Sequence, residues 1–302
     1  MSGEIGFIGL GNMGGRMTAR LVDKSRAVLG YDVRQELAGR VGARPAASVA
    51  QVADAADVVL LSLPDSHVVE AITYGDHGLI ARARPGQVIV DLSTAAPTST
   101  RAIHQELAAK GAAYLDAGIS GGAAAADKGT LTLMVGGDAA VLDQVRPVLD
   151  CFAAEVFHCG GSGTGHTAKL FNNFLNAVSL AATAEVMVAG KKAGLDLETL
   201  LSIINASSGV NFASLNRFPK IIHGDYLKGG LTNALMLKDV TLYTDLAAGL
   251  GVASVNASGP AAAFGLAIGL GYADEISNTV VDAIGDISGG VRLYTPEEKA
   301  ES

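Results

Sequence analysis

Short apolar runs that are almost unbroken, such as VVLLSL (58–63) and VIVDL (88–92), recur through the first half of this 302-residue chain. A strand with one face in water alternates apolar and polar residues. An unbroken run wants cover on both faces, which is the situation of parallel strands flanked by helices. Strands are expected at Ile5–Ile8, Ala27–Tyr31, Asp57–Leu63, Gln87–Asp91 and Ala113–Asp116, with later ones near Leu131–Val135 and Glu155–His158. Stretches with helical spacing, such as Met13–Asp23 and Ser99–Lys110, lie between them. Strand–helix alternation of this kind implies a doubly wound sheet.

The first strand runs straight into Gly9-Leu10-Gly11-Asn12-Met13-Gly14, a GxGxxG that opens a helical stretch, and Asp32 ends the next strand. Each glycine has a mechanical reason. Gly9 permits a tight turn, Gly11 lets backbone approach a pyrophosphate, and Gly14 allows close helix–strand packing. A pyrophosphate would then meet free N–H groups at the helix N-terminus. Asp32 can accept a hydrogen bond from a ribose 2′-hydroxyl and would repel a 2′-phosphate, which favours NAD over NADP. Arg34, two residues on, could instead greet that phosphate, so NADP stays open.

Open α/β sheets bind their ligands beyond the carboxyl ends of the strands, and three stretches fall there. In Ser62-Leu63-Pro64-Asp65, Pro64 cannot continue a central strand and turns the chain beside the nucleotide, next to Leu63. In Asp91-Leu92-Ser93-Thr94, Thr94 offers a hydroxyl near the expected nicotinamide. Ser120-Gly121-Gly122 offers consecutive unshielded N–H groups, a nest for a carboxylate. Each is also compatible with plain turn chemistry.

After about Gly165 the strand-like runs stop, and Ala/Leu-rich helical patterns cover 166–193, 196–206, 231–250, 256–271 and 273–287. The expected architecture is an α/β Rossmann-type doubly wound sheet over residues 1–163, followed by an all-α domain over 164–302. A polar tail, TPEEKAES, closes the chain and is expected to fray. The boundary falls at a second glycine run, GSGTGHTAKLFNN (161–173). No acidic-ended strand follows it, so it reads as a crossing between domains and a helix start. On that helix Lys169, Asn172, Asn173 and Asn176 stand at offsets 0, 3, 4 and 7, hence on one face of an otherwise apolar run. A lysine and three amides are too few for a solvated face and costly to bury unpaired, so the stripe is expected to line a cleft. A lysine there can exchange the hydroxyl proton that must leave as hydride passes from an alcohol to a nicotinamide. Asn173, one turn on, would hold the lysine or a substrate oxygen. His166 is a rival acid/base.

Composition narrows the partners. Net charge is −8 and no basic block offsets it, which argues against nucleic acid. Cys151 and Cys159 have no CxxC spacing and no clustered histidines beside them, so no metal site is expected and both read as buried thiols. Few cysteines and no signal-peptide pattern point to the cytoplasm. Ala168–Gly190 carries Lys169, three asparagines and Glu185. That makes it a poor membrane span and a better helix buried between domains. The Ala/Leu-rich helices look too apolar for a monomer, so a homodimer or homotetramer is expected.

The succession GLGNMG, DLSTAAP, SGG…GTLTLMVGG, GSGTGHTAKLFNN and LMLKD, in order over essentially the whole chain, resembles the β-hydroxyacid dehydrogenase family. That group includes 3-hydroxyisobutyrate dehydrogenase and tartronate semialdehyde reductase. The resemblance implies a Rossmann domain, a helical dimerising domain and an active site between them. It implies Lys169 as the catalytic lysine, substrate contacts at Asn173 and Ser120-Gly121-Gly122, and Thr94 and Lys238 at the cofactor. Without it, Lys238-Asp239 reads as a helix-surface ion pair. The implied activity interconverts a small β-hydroxy acid and its semialdehyde or keto acid with NAD, NADP being possible. The alternatives are an NADPH-dependent glyoxylate or succinic semialdehyde reductase and a non-catalytic dinucleotide-binding protein. Imine reductases are similar in outline but usually lack the lysine. The chain departs from the family pattern at Arg16 and Gly118, both commonly proline, and in the glycine-poor Ala123–Asp127. Gly118 is expected to loosen the loop beside the carboxylate nest.

Overall fold

The protein is described by a computed structural model covering residues 3–295. The tail TPEEKAES, apart from Thr295, lies outside the described residues. Eight strands form one sheet: β1 (Ile5–Ile8), β2 (Val28–Tyr31), β3 (Arg44–Pro45), β4 (Val58–Leu61), β5 (Val88–Asp91), β6 (Ala113–Ser120), β7 (Leu131–Gly136) and β8 (Ala153–Gly160). Their order is β3-β2-β1-β4-β5-β6-β7-β8. The reversal of winding beside β1 and β4 makes the sheet doubly wound and puts a switch point there.

Burial explains the unbroken apolar runs. In β4, Val58 and Leu60 pack into one hydrophobic cluster, with Phe7, Met17 and Leu115, while Val59 and Leu61 pack into another, with Ile8, Ile89 and Ile103. Successive side chains point to opposite faces, so both faces of the sheet are covered. Two features differ from the expectation. β3 is an additional two-residue edge strand, and β7 runs antiparallel to β6, so the sheet is mixed rather than wholly parallel.

The chain divides into two compact units, one through Lys169 and one from Leu170. The second is helical. Its main helices are the continuation of a long helix, Thr164–Lys192, together with Leu197–Asn205, Asn233–Gly249, Ser258–Gly269 and Val280–Ile287. Leu180, Met187, Phe218, Met236 and Phe264 centre its core. The last helix begins seven residues later than its sequence pattern suggests. Asn233 is the reason. Its side-chain amide donates to the Tyr272 and Glu275 carbonyls at 2.8 and 3.3 Å, holding that segment non-helical, and Thr232 bridges Ile276. Among the described residues, no helix is long and apolar enough to cross a membrane.

Candidate active site

The glycine loop is built by close approaches that exclude a side chain. Gly9 has φ +89°, and a Cβ there would lie 2.2 Å from the Ser62 carbonyl oxygen. A Cβ on Gly14 would lie 1.9 Å from the Gly9 oxygen, because the first helix, Asn12–Asp23, packs directly on the turn. Gly11 is different. It is the N-cap of that helix, no side chain caps the end, and a Cβ on it would come no nearer to anything than 3.8 Å from an Arg34 nitrogen. Open space therefore stands in front of unclaimed helix N–H groups, and the cradle fits a dinucleotide pyrophosphate. Asn12 is exposed and accepts from Arg16 Nε at 3.2 Å, while Met13 is half-buried against the core.

Asp32 anchors the loop. One carboxylate oxygen accepts the Leu10 N–H at 2.8 Å and the other the Arg34 N–H at 2.9 Å. The Arg34 guanidinium lies 3.7 Å from Asp32 and so stands beside both the acidic residue and Gly11. Neighbouring strand ends are tied together as well. Ser93 Oγ accepts the Leu63 N–H at 3.0 Å, and Ser66 Oγ accepts the Ala96 N–H at 2.8 Å, which joins the loop of Pro64 to the loop of Thr94. Asp65 is a helix cap, accepting the Val68 N–H at 3.0 Å. Beneath them Asp91, fully buried, accepts from the Tyr114 hydroxyl at 2.8 Å and from the Ser93 N–H at 3.0 Å. Burial, then the Asp91 charge, pushes the Tyr114 hydroxyl well above its usual range, so it stays a donor to Asp91.

Ser120 ends β6, and Gly121 and Gly122 follow with φ +116° and +66°, both in the left-handed region. The helix Gly122–Lys128 comes next and buries Ala123 and Ala126, while its Asp127 pairs with Arg16. Two departures from the family pattern, Arg16 and the Ala123–Asp127 segment, thus meet each other. Gly118 does not loosen a loop. It lies within β6, buried and paired with Met134.

The second glycine run is explained by crossing, not by phosphate. A Cβ on Gly165 would lie 2.4 Å from the Met134 oxygen and 2.5 Å from the Asp116 oxygen, and one on Gly136 would lie 2.7 Å from the Gly165 nitrogen. The long helix therefore starts in backbone contact with β6 and β7. Asp116, fully buried, accepts the Gly163 and His166 N–H groups at 2.7 and 2.8 Å and so claims the helix start itself. An acidic residue closing an expected strand was visible in the sequence, but its partners, about fifty residues away, were not. His166 is fully buried. Its Nδ1 pairs with the Thr100 hydroxyl at 2.8 Å and its Nε2 faces the Asp91 carbonyl at 3.3 Å, so both ring nitrogens are engaged in the core and the rival acid/base role falls away.

Further along this helix Lys169 is 8% exposed and Asn173 2%. Asn172, expected on the same face, is turned outward and exposed, while Asn176 accepts from Arg217 Nη2 at 3.0 Å. Arg217 also donates to Asn278 at 2.8 Å, and burial pulls its pKa down to about 10. The Asn173 amide donates to Asp239, whose other oxygen pairs with Lys238 Nζ at 3.1 Å. Asp239 is 1% exposed, so Lys238-Asp239 is not the surface ion pair that the sequence alone suggests, and Asp239 is a member of the network that sequence reasoning missed. Of the two thiols, Cys151 is buried but Cys159 is half-exposed.

Comparison with known proteins closes the assignment. Residues 4–161 match the model of the NAD binding domain of 6-phosphogluconate dehydrogenase. Residues 163–281 match that of the NAD-binding region of NADP-dependent 3-hydroxyisobutyrate dehydrogenase. An NAD-dependent L-serine dehydrogenase of Pseudomonas aeruginosa is 38% identical over 282 residues, 90% of this chain and 94% of the relative. The chain belongs to the β-hydroxyacid dehydrogenase family. As a member it is an oxidoreductase that acts on a CH–OH group with NAD, NADP being allowed. A 3-hydroxyisobutyrate dehydrogenase of the same bacterium is 39% identical over 249 residues, 79% of this chain and 83% of the relative. The solved Mycobacterium tuberculosis 3-hydroxyisobutyrate dehydrogenase with L-serine superposes with a TM-score of 0.83 at 33% identity, over 93% of this chain and 98% of that one. Imine reductases, at 17–19% identity, share the fold alone.

Proposed function

We propose that this β-hydroxyacid dehydrogenase interconverts a small 3-hydroxy carboxylate and its semialdehyde or keto acid, with Lys169 as the acid/base. The observation that carries this reading is Lys169 itself. A lysine 8% exposed and an asparagine 2% exposed stand one turn apart on one helix, which sets an amine and an amide side by side on a buried face. Bound at the glycine loop, NAD supplies the hydride acceptor for oxidation and, when reduced, the donor for the reverse reaction. In oxidation Lys169 Nζ takes the hydroxyl proton as the carbinol hydride leaves; in reduction it returns that proton and polarises the carbonyl. Ser120, Gly121 and Gly122 hold the carboxylate through hydroxyl and backbone N–H groups. Asn173, fixed by Asp239, orients the lysine or a substrate oxygen. Gly9 to Gly14, Asp32, Leu63, Pro64, Thr94 and Lys238 form the cofactor site. The relatives named above support the substrate class, since L-serine and 3-hydroxyisobutyrate are both 3-hydroxy carboxylates. A panel of such acids and of small semialdehydes, assayed with both cofactors, tests the reading; NAD binding with no member turned over would leave the non-catalytic alternative.

A second reading, an NADPH-dependent reductase, rests on Arg34, whose guanidinium stands beside Gly11. Asp32→Asn removes the negative charge and keeps an acceptor for the Leu10 N–H. The preference for NAD over NADP in kcat/KM is expected to fall about tenfold, the scale of one charge-assisted hydrogen bond. An unchanged ratio would remove Asp32 as the discriminator.

The proposed division of labour gives residues 1–163 to the nucleotide and 164–302 to substrate and self-association. We further propose a cytoplasmic homodimer or homotetramer. Phe171, Leu175 and Val186, on the outer face of the long helix, are 42%, 67% and 47% exposed, an apolar stripe that a second copy would cover.

A further inference from the structure

One approach in the first unit is closer than ordinary packing. A Cβ built on Gly118 would lie 2.4 Å from Lys169 Cβ and 2.9 Å from Lys169 Cγ, with the Gly165 carbonyl oxygen at 3.3 Å. Contacts below 3.0 Å force something to move, and here both atoms belong to the stem of the lysine, next to its backbone. The neighbours on the strand give this contact its meaning. Side chains two apart on a strand share a face, so Asp116, Gly118 and Ser120 point the same way from β6. Asp116 holds the first turn of the long helix through the Gly163 and His166 N–H groups. Ser120 opens the Ser120-Gly121-Gly122 turn. Gly118 stands midway, and the Lys169 stem crosses the strand there, about 7 Å along the strand from each neighbour.

We propose that Gly118 is a positioning residue for Lys169: its missing side chain sets how deeply the lysine stem seats on β6, and through that where the lysine amine stands relative to Ser120. The inference rests on the reading of Lys169 as acid/base. It is a property of this chain, since the family pattern described above commonly has proline, with a Cβ, at this position. The strand itself does not require glycine here. Gly118 is not among the glycines with positive φ, and its ladder partner is an ordinary Met134. In this chain the space that a Cβ at 118 would fill is taken by the Lys169 stem. Gly165 and Gly136 complete the arrangement, bringing the helix backbone onto the two strands so that the stem at 169 arrives at contact distance.

Gly118→Ala tests this. A displacement of the amine by a fraction of an ångström to one ångström is expected to lower kcat by about tenfold to a hundredfold. NAD affinity should stay within about twofold, because no glycine-loop residue is touched. The acid limb of the kcat–pH profile in the oxidation direction should move, since the proton acceptor now sits in a different environment. Loss of NAD affinity and thermal stability with an unmoved pH limb would mean a merely structural role and would overturn the proposal. A double-mutant cycle guards against a variant that folds poorly. With Lys169→Gly the stem is gone, so Gly118→Ala should lower the melting temperature less in that background than in the wild type; additive losses would contradict the contact. The two readings fail separately. Turnover retained by Lys169→Ala removes the acid/base assignment. Turnover lost by Lys169→Ala, with kcat and pH profile of Gly118→Ala at wild-type values, removes only the role of Gly118.

Discussion

Lys169→Ala is expected to lower kcat for hydroxy-acid oxidation by about three orders of magnitude, with NAD affinity within about twofold of wild type. General acid–base assistance by a positioned side chain contributes roughly 10²–10⁴ in rate. Lys169 combines near-complete burial with a fixed helical position next to Asn173. The fixed position comes from the helix start, where Asp116 accepts two N–H groups and the glycines at 136 and 165 allow backbone contact. Alanine keeps the helix and leaves the glycine loop untouched, so binding and turnover should separate. Isothermal titration with NAD beside steady-state rates reads both. Turnover within tenfold of wild type would remove Lys169 from the chemistry.

The second large effect is expected at the other glycine run. Gly9→Ala should weaken NAD binding by at least about a hundredfold. Two costs add at this position. A side chain at φ +89° carries a backbone strain of about 1–2 kcal/mol, and its Cβ would meet the Ser62 carbonyl oxygen at 2.2 Å. The Ser62 N–H is bonded to the Ile8 carbonyl and the Gly9 N–H to the Tyr31 carbonyl, each at 2.9 Å, so neither side of the contact is free to retreat. The turn must open, and with it the helix N–H groups proposed to meet the pyrophosphate. Fluorescence titration checks this. An NAD affinity equal to wild type would mean that the turn at Gly9 does not shape the cofactor site.

How much of this was legible in the sequence depended on how local each cause is. The core strands could be read because cover on both faces leaves unbroken apolar runs, and burial of Val58 to Leu61 is complete on both sides. β3 could not: two exposed residues, Arg44 and Pro45, carry no apolar signal. The reversed β7 was within reach. Ten residues, 121–130, separate β6 from β7, too few for the dozen or more that a parallel crossover needs. The late start of the last helix had no local cue, because a side chain some forty residues upstream, Asn233, holds the Tyr272–Glu275 carbonyls. On the long helix, spacing put Lys169 and Asn173 on one face, and both are buried, since helical periodicity is local. Spacing could not show that Asn172 turns outward, that His166 is consumed by Thr100 and Asp91, or that Asp239 is buried on the Asn173 amide. The last two depend on partners 66 or more residues away in the chain. Gly118 shows the same limit. As a letter it reads as a loosened loop, and as a position its missing side chain leaves room for the Lys169 stem.

The central claim is direct hydride transfer from a 3-hydroxy carboxylate with Lys169 as the proton acceptor. It is tested most directly by incubating the protein with NAD and 3-hydroxy acids deuterated at the carbinol carbon, and analysing the nicotinamide by mass spectrometry. Deuterium is expected on the reduced cofactor with the wild-type protein, with about a thousandfold slower appearance with Lys169→Ala. Cofactor that binds but gains no deuterium from any member of the series, or gains it equally fast in both proteins, would contradict it.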